Sequence, residues 1–99
     1  QFTPVGNMVR FRASGGAAQL ANGKVLIAGA WWVHNDAHTY GELLDLATGQ
    51  FSATGPLNTP RAMPVVVATA DGNALVIGGS GITGGAIGAK VERYVTEQN

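Results

Sequence analysis

The stretch Leu20–Ala30, LANGKVLIAGA, decides how this chain folds, because it returns at Thr69–Gly79 as TADGNALVIGG. In each copy a turn dipeptide (Asn22-Gly23, then Asp71-Gly72) precedes an apolar run that ends on glycine (Gly29, Gly78). Asn-Gly or Asp-Gly flanked by apolar segments is among the strongest short-range hairpin signals. A short apolar run bounded by turn residues reads as a buried strand. The same shift lays Gln1–Ala13 (QFTPVGNMVRFRA) on Gln50–Ala62 (QFSATGPLNTPRA) without a gap. Over the thirty positions Gln1–Ala30 nine are identical, including Phe2/Phe51, Gly6/Gly55, Arg12/Arg61 and Leu26/Leu75. After one inserted residue the register resumes, with Glu42 on Glu92 and Leu44 on Tyr94.

A period near 50 residues, built from short apolar runs and turn glycines, predicts four-stranded propeller blades. The expected fold is all-β, with two repeats over residues 1–49 and 50–99. Strands are expected at Gly16–Leu20, Lys24–Ala30, Glu42–Leu46 and Gln50–Thr54, then at Val65–Thr69, Ala74–Gly78 and Val91–Val95. Residues 89–98 read as a helix in isolation, but their place in the repeat makes them a strand. By the same register Gln1–Val5 is the closing fourth strand of a blade whose other strands are absent, and the last blade lacks its fourth. Chain ends of this kind complete each other in a ring, which removes open sheet edges. Three copies would make six blades, and a homotrimer is the expected partner arrangement; the alternative is a piece excised from a longer propeller. Two isolated blades leave apolar faces in water, so a lone monomer is not expected.

Composition narrows the rest. Six basic and six acidic residues balance, so no electrostatic footprint for nucleic acid or an anionic membrane is present. The apolar runs are shorter than the about 20 residues a spanning helix needs. No basic segment followed by a long apolar one opens the chain, so no signal peptide is expected in it. A start at Gln1 points to a processed or excised chain. There is no cysteine, which excludes disulfides and thiol chemistry and leaves the compartment unread.

The units resemble the bacterial kelch repeat of the galactose-oxidase type. Its pattern runs from an arginine opening the first strand, through D/N-G-x-V-L-V/I-x-G-G and A/G-E-x-Y/L-D, to T-G-x-F-x-x-T-G-x-M/L. Here the matching residues are Arg12, Asn22–Ala30, Gly41-Glu42-Leu43-Leu44-Asp45 and Thr48–Leu57. Two positions depart from it: Ala30 stands for the second glycine of the doublet, and Val95 for the usual aspartate. The resemblance implies a ring of six or seven blades that binds partners through loops on one face.

The two loops that differ most between the units are residues 31–40 and 80–88. In the first, Trp31, Trp32, His34, Asn35, Asp36, His38 and Tyr40 crowd together. Two indoles with amide and carboxylate neighbours suit a glycan or protein partner, because ring faces stack on C–H surfaces while polar groups fix hydroxyls. The competing reading is that both tryptophans seal the gap between blades. Trp31, Trp32, His34, Asn35, Asp36 and His38, with Arg10 (which has Thr59 as its counterpart), form the candidate ligand-binding set. His34-x-Asp36-x-His38 places three potential metal ligands on one side of an extended segment, but they read as surface residues and no metal is expected.

Gly79-Ser80-Gly81-Ile82-Thr83-Gly84 matches G-x-G-x-x-G, yet it opens no helix and has no acidic residue about 20 positions on, so nucleotide binding is not expected. Arg12 and Arg61, repeated at the start of each blade, read as structural groups reaching backbone carbonyls near the inner edge of the ring. Gly29, Gly78, Gly79, Glu42 and Glu92 join them as structural residues. The galactose-oxidase type of enzyme needs a copper-bound tyrosine crosslinked to cysteine, and no cysteine is present. No cofactor and no catalytic group is expected; the chain reads as a non-catalytic binding scaffold. The alternatives are a fragment of a larger kelch-propeller oxidase with its catalytic residues elsewhere, and a self-assembling structural module without a ligand.

Overall fold

The computed structural model describes residues 1–9, 12, 15–30, 40–58, 61, 62, 64–79 and 90–96. Among them seven strands form two antiparallel sheets and no helix. The first sheet has the order β1 (Gly16–Gln19), β2 (Val25–Ala28), β3 (Tyr40–Asp45), β4 (Gln50–Pro56). The second has β5 (Val65–Ala68), β6 (Ala74–Ile77) and β7 (Val91–Tyr94), each strand beside its sequence neighbour. The chain is all-β, as the repeat requires, and the sheets do not close into a ring.

The two hairpin turns are near copies. In the first, Leu20 N–H donates to Lys24 O at 2.7 Å and Gly23 N–H to Leu20 O at 3.0 Å. In the second, Thr69 N–H donates to Asn73 O at 2.9 Å and Gly72 N–H to Thr69 O at 3.1 Å. The Asx side chain inside each turn accepts from the backbone two residues on: Lys24 N–H to Asn22 Oδ1, and Asn73 N–H to Asp71 Oδ1. This local bond is why Asn and Asp are favoured there.

Side chains on a strand alternate between faces, and both faces of β2 and β6 are apolar. Only the face that meets the other sheet is sealed. In β2 that face is Leu26 and Ala28, whereas in β6 it is Ala74 and Val76. These sets are out of phase in the repeat, since Leu26 corresponds to Leu75 and Ala74 to Val25. The core is therefore one layer between the sheets, built from Leu20, Leu26, Ala28, Val66, Ala74 and Val76 with Leu43, Leu57 and Tyr94 packed against it.

Residues 1–5, expected as a closing strand, form no ladder here and are exposed, with Phe2 fully so. The reason is physical: among the described residues no strand stands beside this segment to pair with it, and a strand without a partner has nowhere to place its backbone hydrogen bonds. Val5 lies instead against the β3–β4 turn, where a Cβ built on Gly49 would come 3.0 Å from Val5 O.

Candidate functional site

Among the described residues the buried charged groups are Arg12, Arg61 and Glu42. Arg12 lies in the segment leading to β1 and Arg61 in the link from β4 to β5. Arg12 Nε–H donates to Glu42 Oε2 at 3.0 Å, Nη1 to Gly29 O at 3.0 Å, and Nη2 to Tyr40 O at 2.7 Å. The Val9 N–H donates to the other carboxylate oxygen, Glu42 Oε1, at 2.7 Å. One lock thus ties the incoming segment to the end of β2, to the start of β3 and to the middle of β3.

The second unit repeats it. Arg61 Nε–H and Nη2 both donate to Glu92 Oε2 at 3.2 Å, and Nη1 donates to Gly78 O at 2.7 Å and Lys90 O at 2.8 Å. Asn58 N–H donates to Glu92 Oε1 at 2.7 Å. Every partner is the repeat equivalent of its counterpart, down to the backbone donors Val9 and Asn58 and the acceptors Tyr40 and Lys90. A guanidinium suits this task because its planar fork offers five donors, enough for a carboxylate and carbonyls from two strands at once.

Burial sets the chemistry of these carboxylates. Arg61 and Glu42 are fully buried and Arg12 nearly so, while the Glu92 side chain keeps 12% exposure. Each oxygen of both glutamates accepts a hydrogen bond, and Glu42 is sealed from solvent, so no substrate reaches it. Their role is to fix the geometry of the connections. The positive-φ glycines that end β2 and β6 complete the lock. Gly29 (φ +82°) lies directly under Pro64, and a Cβ on Gly79 (φ +98°) would stand 2.6 Å from Ala62 O. Where the second unit has Gly79, the first has Ala30, whose N–H donates to Arg61 O at 3.3 Å.

The sheets leave a cleft of about 100 Å³ between them, lined by Leu26, Ala28, Thr54, Leu57, Val76 and Tyr94 among others. It shares Thr54, Gly55 and Tyr94 with a more polar hollow of about 260 Å³ toward the outer strands. Near that hollow the two units differ. In the first, Asp45 Oδ1 accepts from Ala47 N–H and starts the turn into β4. In the second, Val95 stands in its place; Thr96 N–H donates to Asn73 Oδ1 at 2.9 Å and Thr96 Oγ1 to Gly72 O at 2.6 Å.

Of the candidate ligand-binding residues, Trp31, Trp32, His34, Asn35, Asp36, His38 and Arg10 lie outside the described residues, as does the loop 80–88. Tyr40 is described, and its carbonyl belongs to the Arg12 lock. Sequence reasoning paired neither arginine with its glutamate. It also missed Val9 and Asn58, which act through backbone N–H groups and so leave no trace in residue type. For the Asn73–Thr96 clasp, the signal was Val95 in place of aspartate.

No family model matches the chain, and no curated protein does. Solved structures do. One is a fungal alcohol oxidase with catalytic diversity among the AA5 family, in complex with copper; it superposes with a TM-score of 0.65 at 20% identity over 83% of this chain. The chain spans 16% of the length of that protein. At this identity the likeness shows the fold. It corrects one expectation: the chain was read as no enzyme, and its fold is shared with a catalytic protein, so the blade architecture gives no ground for setting catalysis aside.

Proposed function

We propose that residues 1–99 are a blade pair of a kelch-type propeller belonging to an oxidase-like enzyme, with the ring and the reacting groups completed from outside these residues. The observation that carries the reading is the Arg–Glu–carbonyl lock, repeated residue for residue on a fold shared with a copper-bound alcohol oxidase. Each lock holds the end of one strand and the start of the next, Gly29 with Tyr40 and Gly78 with Lys90. In the sequence these points flank residues 31–39 and 80–89. Rigid strand ends that carry variable loops are the usual way a scaffold presents function. In this reading Trp31, Trp32, His34, Asn35, Asp36, His38 and Arg10 contribute to the rim that meets a sugar or another alcohol.

The described residues do not fit a copper centre. No group of three His, Cys, Asp or Glu side chains stands together among them, and both described strand glutamates are held by arginines. No step through copper is therefore assigned to them. An alcohol oxidase transfers two electrons and two protons from its substrate to dioxygen, leaving an aldehyde and hydrogen peroxide. The test is to express the uninterrupted reading frame that contains these residues, load it with Cu²⁺, and follow peroxide release with sugars and simple primary alcohols. Alcohol-dependent peroxide is the expected result; a product that binds no copper and releases none with any alcohol overturns the oxidase reading.

A further inference from the structure

The hairpin turn of the first unit carries Asn22-Gly23, whereas its twin in the second carries Asp71-Gly72. The two turns are built alike. Gly23 N–H donates to Leu20 O and Gly72 N–H to Thr69 O; Lys24 N–H donates to Asn22 Oδ1 and Asn73 N–H to Asp71 Oδ1. Asn22 and Asp71 are both exposed, and Gly23 and Gly72 have φ of +89° and +91°. An amide and a carboxylate therefore serve the same turn in the same way, and the second is the hydrolysis product of the first.

Three features of the first turn favour that hydrolysis. The side-chain amide and the backbone nitrogen that can attack it are adjacent in sequence, so the reaction is intramolecular and has a high effective concentration. Gly23 has no side chain to obstruct the approach, and nothing lies within 4 Å of where its Cβ would stand. Lys24 N–H already donates to Asn22 Oδ1 at 3.0 Å. Negative charge develops on that oxygen during the attack, so its donor is in place beforehand. The bond that must be given up is Gly23 N–H to Leu20 O at 3.0 Å, and an exposed turn opens locally at small cost.

We propose that Asn22-Gly23 is a self-modifying site, a turn that deamidates in water without an enzyme. The Gly23 nitrogen gives up its proton and forms a bond to Asn22 Cγ; the Cγ–Nδ2 bond breaks and ammonia takes up the proton as it leaves. Water then adds to one carbonyl of the cyclic imide and opens it. No electrons are transferred: the net change is amide plus water to carboxylic acid plus ammonia. Opening that restores the ordinary backbone gives an aspartyl residue, and the Asp71 turn is the pattern for its fit. Opening the other way lengthens the main chain by one carbon and puts the Leu20 N–H to Lys24 O bond out of register. Conversion adds one negative charge to a chain whose six basic and six acidic residues balance. Leu20 stands where Thr69 donates its hydroxyl to Asp71, so the new carboxylate lacks that hydroxyl and keeps the Lys24 N–H. The chemistry needs only the turn, so it stands or falls apart from the oxidase reading.

The test is peptide mapping by mass spectrometry on the protein expressed from its uninterrupted reading frame. It is incubated in mildly alkaline buffer beside a synthetic peptide of residues 18–27. The expected result is a gain of about 1 Da in the fragment that contains Asn22, complete by the time the free peptide has converted. Conversion there should run at least about tenfold faster than at Asn7, Asn58 or Asn73, each followed by a residue with a side chain (Met8, Thr59, Ala74). Asn22→Ser should gain no mass in this fragment, and Asn22→Asp should melt with the parent. An Asn22 that stays intact after the free peptide has converted, or that converts no faster than Asn7, Asn58 and Asn73, overturns the proposal. Asn22→Asp melting below the parent overturns the fit of the aspartyl product.

Discussion

Glu42 Oε2 accepts the Nε–H of Arg12 at 3.0 Å, with only 2% of the arginine side chain and none of the glutamate side chain exposed. The pair is bound to the backbone of three segments, so its loss releases an incoming strand as well as a charge. Arg12→Leu leaves a sealed carboxylate without its cation, a class of change that costs about 3–5 kcal/mol. Urea denaturation should show this loss. The double variant Arg12→Leu/Glu42→Leu should recover part of it, since removing both charges is cheaper than stranding one. A double variant as unstable as the single would show that the backbone bonds, and not the stranded charge, dominate.

The second lock should be more forgiving on the carboxylate side. Glu92 keeps 12% side-chain exposure where Glu42 keeps none, so water partly solvates it when its arginine is removed. Arg61→Leu is therefore expected to cost less through the stranded charge than Arg12→Leu. Denaturation of both in parallel checks this. Equal losses would mean that Gly78 and Lys90, bonded by Arg61 Nη1 at 2.7 and 2.8 Å, carry the difference.

Gly79→Ala should destabilise the second unit selectively. The residue has φ +98°, and the added carbon would stand 2.6 Å from Ala62 O, a backbone atom that cannot swing away. Alanine where φ is positive and space is absent costs more than about 1 kcal/mol. The reverse change in the first unit, Ala30→Gly, meets no such barrier and should cost the added freedom of the unfolded chain and one buried methyl group, Ala30 being 2% exposed. Thermal melts of the two variants should separate clearly, with Gly79→Ala the lower.

Asp71 gives the hairpin turn a pH dependence. The Thr69 hydroxyl and then the Asn73 N–H donate to its carboxylate and hold it below its ordinary value of 3.8. The folded state thus favours the ionised form, so its contribution is full above 3.8 and is lost as pH falls from there through the lower folded value. Asp71→Asn should flatten the acid side of a plot of Tm against pH as pH falls through 3.8 and below. An unchanged acid slope would place the sensitivity elsewhere.

Trp31 and Trp32 are the only tryptophans of the chain, so its indole emission reports that one stretch of sequence. In the proposed function a sugar that meets the rim should quench or shift this emission, and Trp32→Ala should weaken the response. Emission that no member of a sugar and polyol panel alters would remove both residues from a binding surface.

Much of this fold is legible in the sequence because its rules are local. Asn22-Gly23 and Asp71-Gly72 mark turns through bonds made within five residues. The apolar runs after them become β2 and β6. The locks are only half legible. The repeat marks Arg12, Arg61, Glu42 and Glu92 as equivalent, but which arginine meets which glutamate spans about thirty residues, and the backbone groups that share the site have no side-chain signature. Residues 1–5 show the limit plainly. They open with the Gln-Phe of β4, and without a neighbouring edge that does not make them a strand.

By itself the sequence determined the period, the β character of each run and the places where the chain must turn, since dihedral preferences and near-neighbour hydrogen bonds settle these. The tertiary structure decided which side of each strand is inside. Leu26 and Leu75 are equivalent residues on equivalent strands, yet Leu26 is sealed and Leu75 is only half-buried. Both faces of the strands are apolar, so side-chain type cannot choose between them; burial goes to whichever face has a sheet beside it.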